Sequence, residues 1–138
     1  MRNIRSTAFA SVLAKFRNQE TGAATVEFVI WIPMIALVFA IVADTAMIFG
    51  GQAQVLRVVQ DANRAMSIGR LRTVAETQDM ILAGIINIAP HASVTTTVDA
   101  GLISSTVLIP VTDLTATGLV DSFTNFNVAV FAQHLAES

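Results

Sequence analysis

The chain runs to 138 residues, 54% of them hydrophobic, with eight basic residues against ten acidic ones and no cysteine. The acidic balance argues against nucleic acid, which demands a basic patch. Without cysteine there is no disulfide staple of the kind common in small exported domains, so redox chemistry gives no clue to compartment.

Residues 1–22 carry Arg2, Arg5, Lys15 and Arg17 against Glu20. Within them, residues 6–16 have the pattern of a short amphipathic helix on the inner leaflet, or equally of an unstructured basic leader. Glu20-Thr-Gly-Ala-Ala-Thr-Val-Glu27 then leads into Phe28–Ala43, 16 residues without a charge. A carboxylate at the mouth of such a helix costs roughly 2.5–3.5 kcal/mol in lipid, so Glu27 is a functional candidate that needs a partner. As a helix, Ala23–Ala43 covers about 30 Å, the hydrocarbon thickness of a bilayer. The apolar character runs on to residue 49, and Asp44 falls at the far interface, where a charge is tolerated. Pro33 removes a backbone donor and is expected to kink the helix. Beyond residue 22 four arginines face nine acids. The positive-inside rule therefore keeps the N-terminus cytoplasmic and exports the remainder.

Residues 50–138 are left for one small exported domain with a modest core. Gly50-Gly51 loosens the first helix without ending it. Val55, Val58, Val59, Ala62 and Met66 then recur at helical spacing opposite Arg57, Gln60, Asp61 and Arg64, which carries the helix to about Ile68. Gly69 is a stop, and Thr73-x-x-Glu76 has the form of a capping box for a second helix. Its apolar pairs Ile81/Leu82 and Ile85/Ile86, with Ala89, predict a helix lasting until Pro90. From Ala92 the period becomes two, with Val94, Thr96 and Val98 on one side. A turn at Asp99-Ala100-Gly101 leads into Leu102–Val111, where Val107, Ile109 and Val111 share a face. Pro110 cannot donate to a ladder, so that end is expected at a sheet edge. A polar loop from Thr112 to Asn125 precedes a third strand, Phe126–Leu135. The fold class is α+β: a long membrane-spanning helix over 23–49 continues into a small domain in which a second helix packs on a three-stranded antiparallel sheet.

Gly22-Ala-Ala-Thr-Val-Glu27-Phe28, Pro33 six residues after the glutamate, and Asp44 seventeen after it together resemble the signature of TadE-like pilins. These are minor pilins, or pseudopilins, of the tight-adherence (Flp-type) branch of the type IV pilus superfamily. The resemblance implies cleavage by a membrane prepilin peptidase between Gly22 and Ala23, which makes residues 1–22 a leader and Glu27 the fifth residue of the mature chain. It also implies a bacterial inner-membrane location with the C-terminal domain periplasmic or extracellular. The implied partners are other pilins and the pilus assembly platform. Glu27-Phe28 stands where the small major pilins usually have Glu-Tyr, and the domain is far longer than theirs; both departures favour a minor component. Physically, glycine and small neighbours suit an unwound protease substrate. Cleavage would create an α-amine on Ala23 about 6 Å along the axis from Glu27, able to neutralise it within the helix or from a neighbouring subunit. Such a pair with Glu27, next to Phe28, sets register rather than adding much net stability.

Each feature has a plainer counterpart. Glu27 could be a first-turn acid complementing the helix dipole, Pro33 a tolerated kink, and Asp44 an ordinary interfacial charge. Gly51-Gln52-Ala53 has the small-x-small form of a signal-peptidase site, but the apolar run exceeds the roughly 7–15 residues of a usual signal core. An uncleaved single-pass scaffold of a secretion complex is the rival function. His91 and His134 are far apart in sequence, and no phosphate loop or metal-spaced cluster accompanies them. A triad of Ser93, His91 and Asp99 has no support, so neither enzyme activity nor a cofactor is expected.

Overall fold

The computed structural model describes residues 20–136, with side chains from residue 25 onward. The stretch 1–19, including the proposed inner-leaflet helix over 6–16, lies outside the described residues. The chain divides into two compact units, one up to Phe39 and one from Ala40.

Helix α1 spans Glu20–Ser67, 48 residues, and continues through Pro33 and through Gly50-Gly51. Its first half is apolar on every side, and its large side chains from Val26 to Val42 are exposed rather than covered by the protein. A core helix of a soluble domain would bury one stripe. This segment is long and apolar enough to cross a membrane.

Beyond Gly50 the same helix becomes amphipathic, and the stripe Val55, Val59 and Ala62 is completely buried in the domain's own core. At Gly51 and Gly84 neighbouring elements approach closely. A Cβ on Gly51 would lie 2.5 Å from Leu114 Cδ2, and one on Gly84 would lie 2.6 Å from Val58 Cγ1.

Helix α2, Val74–Ile85, opens on the capping box expected for it. Glu76 N donates to Thr73 Oγ1 at 3.1 Å, while Thr73 N and Arg72 N donate to Glu76 Oε2 at 3.3 and 2.7 Å. The helix ends at Ile85 rather than running to Pro90, with Ile88 N and Ala89 N both turning back to the Ile85 carbonyl at 2.8 Å. The proline ring would crowd the carbonyl of Ile86 and disfavours helical geometry at Ala89, so the last turn unwinds ahead of it. Ile81 and Ile85 enter the core, whereas Leu82 and Ile86 stay exposed on the flank.

Strands β1 (Ser93–Asp99), β2 (Leu102–Pro110) and β3 (Asn127–Leu135) form an antiparallel sheet in the order β1-β2-β3. The β1–β2 hairpin has two central residues, Ala100 at φ 47° and Gly101 at φ 82°. Both lie in the left-handed region, as a type I′ turn requires. Pairing of Val94 with Val107 and of Val107 with Val130 puts Val107, Ile109, Val128, Val130 and Ala132 on the inner face against the helices. Although β2 is the central strand, β1 reaches only to Leu108, so Pro110 has a neighbour on the β3 side alone and the missing donor breaks no ladder. The stretch expected to be a loop between β2 and β3 holds a single 3₁₀ turn, Val111–Asp113, and a five-residue helix α3, Leu119–Phe123. Strong local propensity is absent there.

Candidate functional site

In the unit up to Phe39, Gly22 and Ala23 already lie in the helical backbone of α1. Glu27 and Phe28 are exposed on the helix, and among the described residues no ion pair involves Glu27. Pro33 lies inside the uninterrupted helix. Among its described side chains this unit presents one carboxylate, Glu27, on an uncovered apolar helix, a surface suited to burial by lipid or by other apolar helices.

In the unit from Ala40, Asp44 is completely covered, and its carboxylate accepts five hydrogen bonds from a loop more than 70 residues away in sequence. Ala116 N and Thr117 N donate to Oδ1 at 3.0 and 2.8 Å. Thr117 Oγ1 donates to Oδ2 at 2.7 Å, and Leu119 N and Val120 N reach the same oxygen at 3.1 and 3.4 Å. Gly118, at φ 70°, doubles the chain back so that amides on both sides of it converge. The N-cap position of α3 is that glycine and supplies no side chain, so Asp44 caps α3 from a distance. Local sequence gave no sign of this: Asp44 read as a charge at the far interface, and Thr117-Gly118 fell within the polar loop expected from Thr112 to Asn125.

A second polar centre was also missed. Asn63, on the core face of α1, donates from Nδ2 to the Ala132 carbonyl at 3.1 Å, which fixes the amide orientation. Ser105 Oγ then donates to Asn63 Oδ1 at 2.6 Å, leaving Thr96 to donate to Ser105 Oγ at 2.9 Å. All three side chains are buried, so one directional chain of hydrogen bonds joins α1 to every strand. A polar residue interrupting the run Val55-Val59-Ala62 was the available signal.

His91 is exposed and meets Asp113: its backbone N–H donates to Oδ2 at 2.9 Å and its Nδ1 lies 2.9 Å from Oδ1. Its partner is thus Asp113, not Asp99. His134 is half-buried on β3, and Nδ1 lies 3.2 Å from the Leu135 carbonyl. Among the described residues no cluster of three potential metal ligands occurs.

Residues 22–64 match the family of TadE-like proteins. The matched stretch is 43 of the chain's 138 residues. The matched region takes in Gly22, Glu27, Phe28, Pro33 and Asp44, the residues on which the sequence resemblance rested, and it runs on to include Asn63. Such a match suggests involvement in the tight-adherence pilus system, and the matched stretch overlaps the helix segment that is long and apolar enough to cross a membrane. Neither curated proteins nor solved structures yield a match.

Proposed function

We propose that this chain is a minor pilin that takes part in assembling or initiating a tight-adherence pilus for surface attachment, as a structural subunit rather than an enzyme. The observation that carries the proposal is the coincidence of the TadE-like segment with an uncovered apolar helical stretch, Val26–Val42, that bears an exposed carboxylate, Glu27. The chain crosses the bacterial inner membrane once, with its N-terminus cytoplasmic. The hydrocarbon-crossing part closes at Ala43, and Asp44 is the first side chain taken up by the exported domain. The prepilin peptidase cuts between Gly22 and Ala23. Because that bond lies in the first turn of α1, cutting it requires local unwinding, which a glycine in the helix makes easier by about 1 kcal/mol.

In this mechanism the new amine of Ala23 neutralises Glu27, and the apolar face from Phe28 to Met47 buries against other pilins and the assembly platform. Van der Waals packing supplies the attraction, and the charge pair selects the stagger. Intact-mass measurement of the membrane-extracted chain should give a species beginning at Ala23, and Glu27→Val should insert in the membrane yet be depleted from sheared pili. A chain that still begins at Met1 beside an active peptidase, and that stays wholly in the membrane fraction, would instead identify an uncleaved scaffold of the secretion machinery.

A further inference from the structure

We infer that α3 and the residues after it form a lipid-contacting foot of the exported domain, with Phe123 and Phe126 seated in the headgroup region of the outer leaflet. Phe123 is 74% exposed, more than Phe39 on the membrane-length part of α1 at 69%, and Phe126 is 43% exposed. Two exposed phenylalanines three residues apart form an apolar patch on a short segment, and it is the place of that patch in the fold that gives it meaning.

The occupant is identified by where Asp44 holds this segment. Asp44 is the first residue after the charge-free run, and it binds Leu119 N and Val120 N at the start of α3. Phe123 lies four residues further, about 6 Å along a helix axis, so its backbone cannot be far from the level of Asp44. At that level the first helical turns of the unit are themselves apolar and open, with Ile41, Val42, Met47 and Phe49 all exposed. The phenylalanines therefore continue, on a second element, the surface with which α1 meets lipid. Phenylalanine, like leucine and tryptophan on the apolar face of an interfacial helix, buries at the boundary between headgroups and acyl chains. Docking there also limits how the domain turns about its tether, since one helix alone leaves rotation free.

The inference rests on the membrane-spanning part of the proposed function, and one set of fluorescence measurements separates the two. The chain has a single tryptophan, Trp31, within the apolar run. The full chain is reconstituted in vesicles of phosphatidylethanolamine and phosphatidylglycerol bearing nitroxide either deep in the acyl chains or near the headgroup. Quenching of Trp31 by the deep nitroxide reports the span. In a Trp31→Phe background, Phe123→Trp should be quenched several-fold more by the shallow nitroxide than Leu135→Trp, which lies at the opposite end of the sheet from Pro110 and Asn127. Phe126→Trp reports on the same patch should Phe123→Trp fail to fold. If Trp31 is quenched but Phe123→Trp and Phe126→Trp behave like Leu135→Trp, the foot does not exist, although the span stands. Blue-shifted but unquenched emission at position 123 would mean that protein covers the patch, which also overturns the inference. An unquenched Trp31 removes the span and the foot with it.

Discussion

Asp44 and Thr117, 73 positions apart, are joined twice: the Thr117 amide donates to Oδ1 at 2.8 Å and its hydroxyl to Oδ2 at 2.7 Å. A charge that the sequence presents as incidental to a membrane helix is thus the point to which the β2–β3 connection is tied. Asp44→Asn keeps the size of the side chain but turns one acceptor into a donor facing other donors. We expect it to lower the Tm of the detergent-solubilised chain by several degrees, and to expose residues 114–126 to proteolysis ahead of the rest of the domain. Calorimetry and mapping of the first cleavage site would check both; an unchanged first cut would refute the clasp.

Acid should undo the same contact. The Thr117 amide above all, with the Thr117 hydroxyl and the amides of Val120 and Ala116, holds the Asp44 carboxyl near a pKa of about 2 against an ordinary 3.8, outweighing the opposing effect of burial. A folded-state pKa depressed in this way contributes stability that is complete above the ordinary value and is lost as pH falls from about 4 toward 2. The Tm difference between the wild-type chain and Asp44→Asn should therefore be constant near neutrality and shrink across that window. A difference that stays flat down to pH 2 would exclude an ionised Asp44 as its source.

Asn63→Ala should destabilise the domain by about 3 kcal/mol, because the Ala132 carbonyl loses its side-chain donor, the buried Ser105 hydroxyl loses its acceptor, and a small void is left. Urea unfolding would measure it. Asn63→Leu, which fills the space without restoring either hydrogen bond, should recover only part of the loss.

The adjacent glycines of α1 should respond in opposite directions. Nothing lies within 4 Å of a Cβ placed on Gly50, so Gly50→Ala gains helix propensity and should stabilise by about 1 kcal/mol. At Gly51 the same methyl meets the buried Leu114 side chain at 2.5 Å, and the resulting displacement should cancel or exceed that gain. Equal effects at the two positions would contradict the packing of Leu114 against α1.

The hairpin turn carries an alanine where the left-handed conformation favours glycine or asparagine. Ala100→Asn should raise stability by about 0.5–1 kcal/mol with the strand register unchanged, measurable as a shift in the urea midpoint.

Periodicity alone sufficed for both long helices, for the capping box at Thr73 and Glu76, and for the three strands, because each is set by neighbours within a turn or a pleat. The stop before Pro90 was misjudged by one turn, since the apolar Ile86 and Ala89 kept helical spacing while the proline's steric demand acted backward along the chain. Helix α3 was invisible because five residues cannot sustain a helix unaided, and the carboxylate that supports this one lies on α1. The roles of Asp44 and Asn63 were hidden for the same reason: their partners are distant in sequence, and short-range patterns carry no record of who meets whom. Glu27 stands out as a candidate from the sequence alone, because a charge among apolar residues conflicts with its surroundings on its own.

The order of the sheet has a consequence for how the molecule matures. β2 gains its second neighbour only from β3, and the Asn63 amide finds its carbonyl only at Ala132, so neither the core nor its polar centre is complete until residue 135 has been made and is free to pair. Until then the growing chain has two strands and the apolar stripe of Val55 and Val59 unshielded. That interval is when a chaperone or a neighbouring subunit has its best opportunity to engage it.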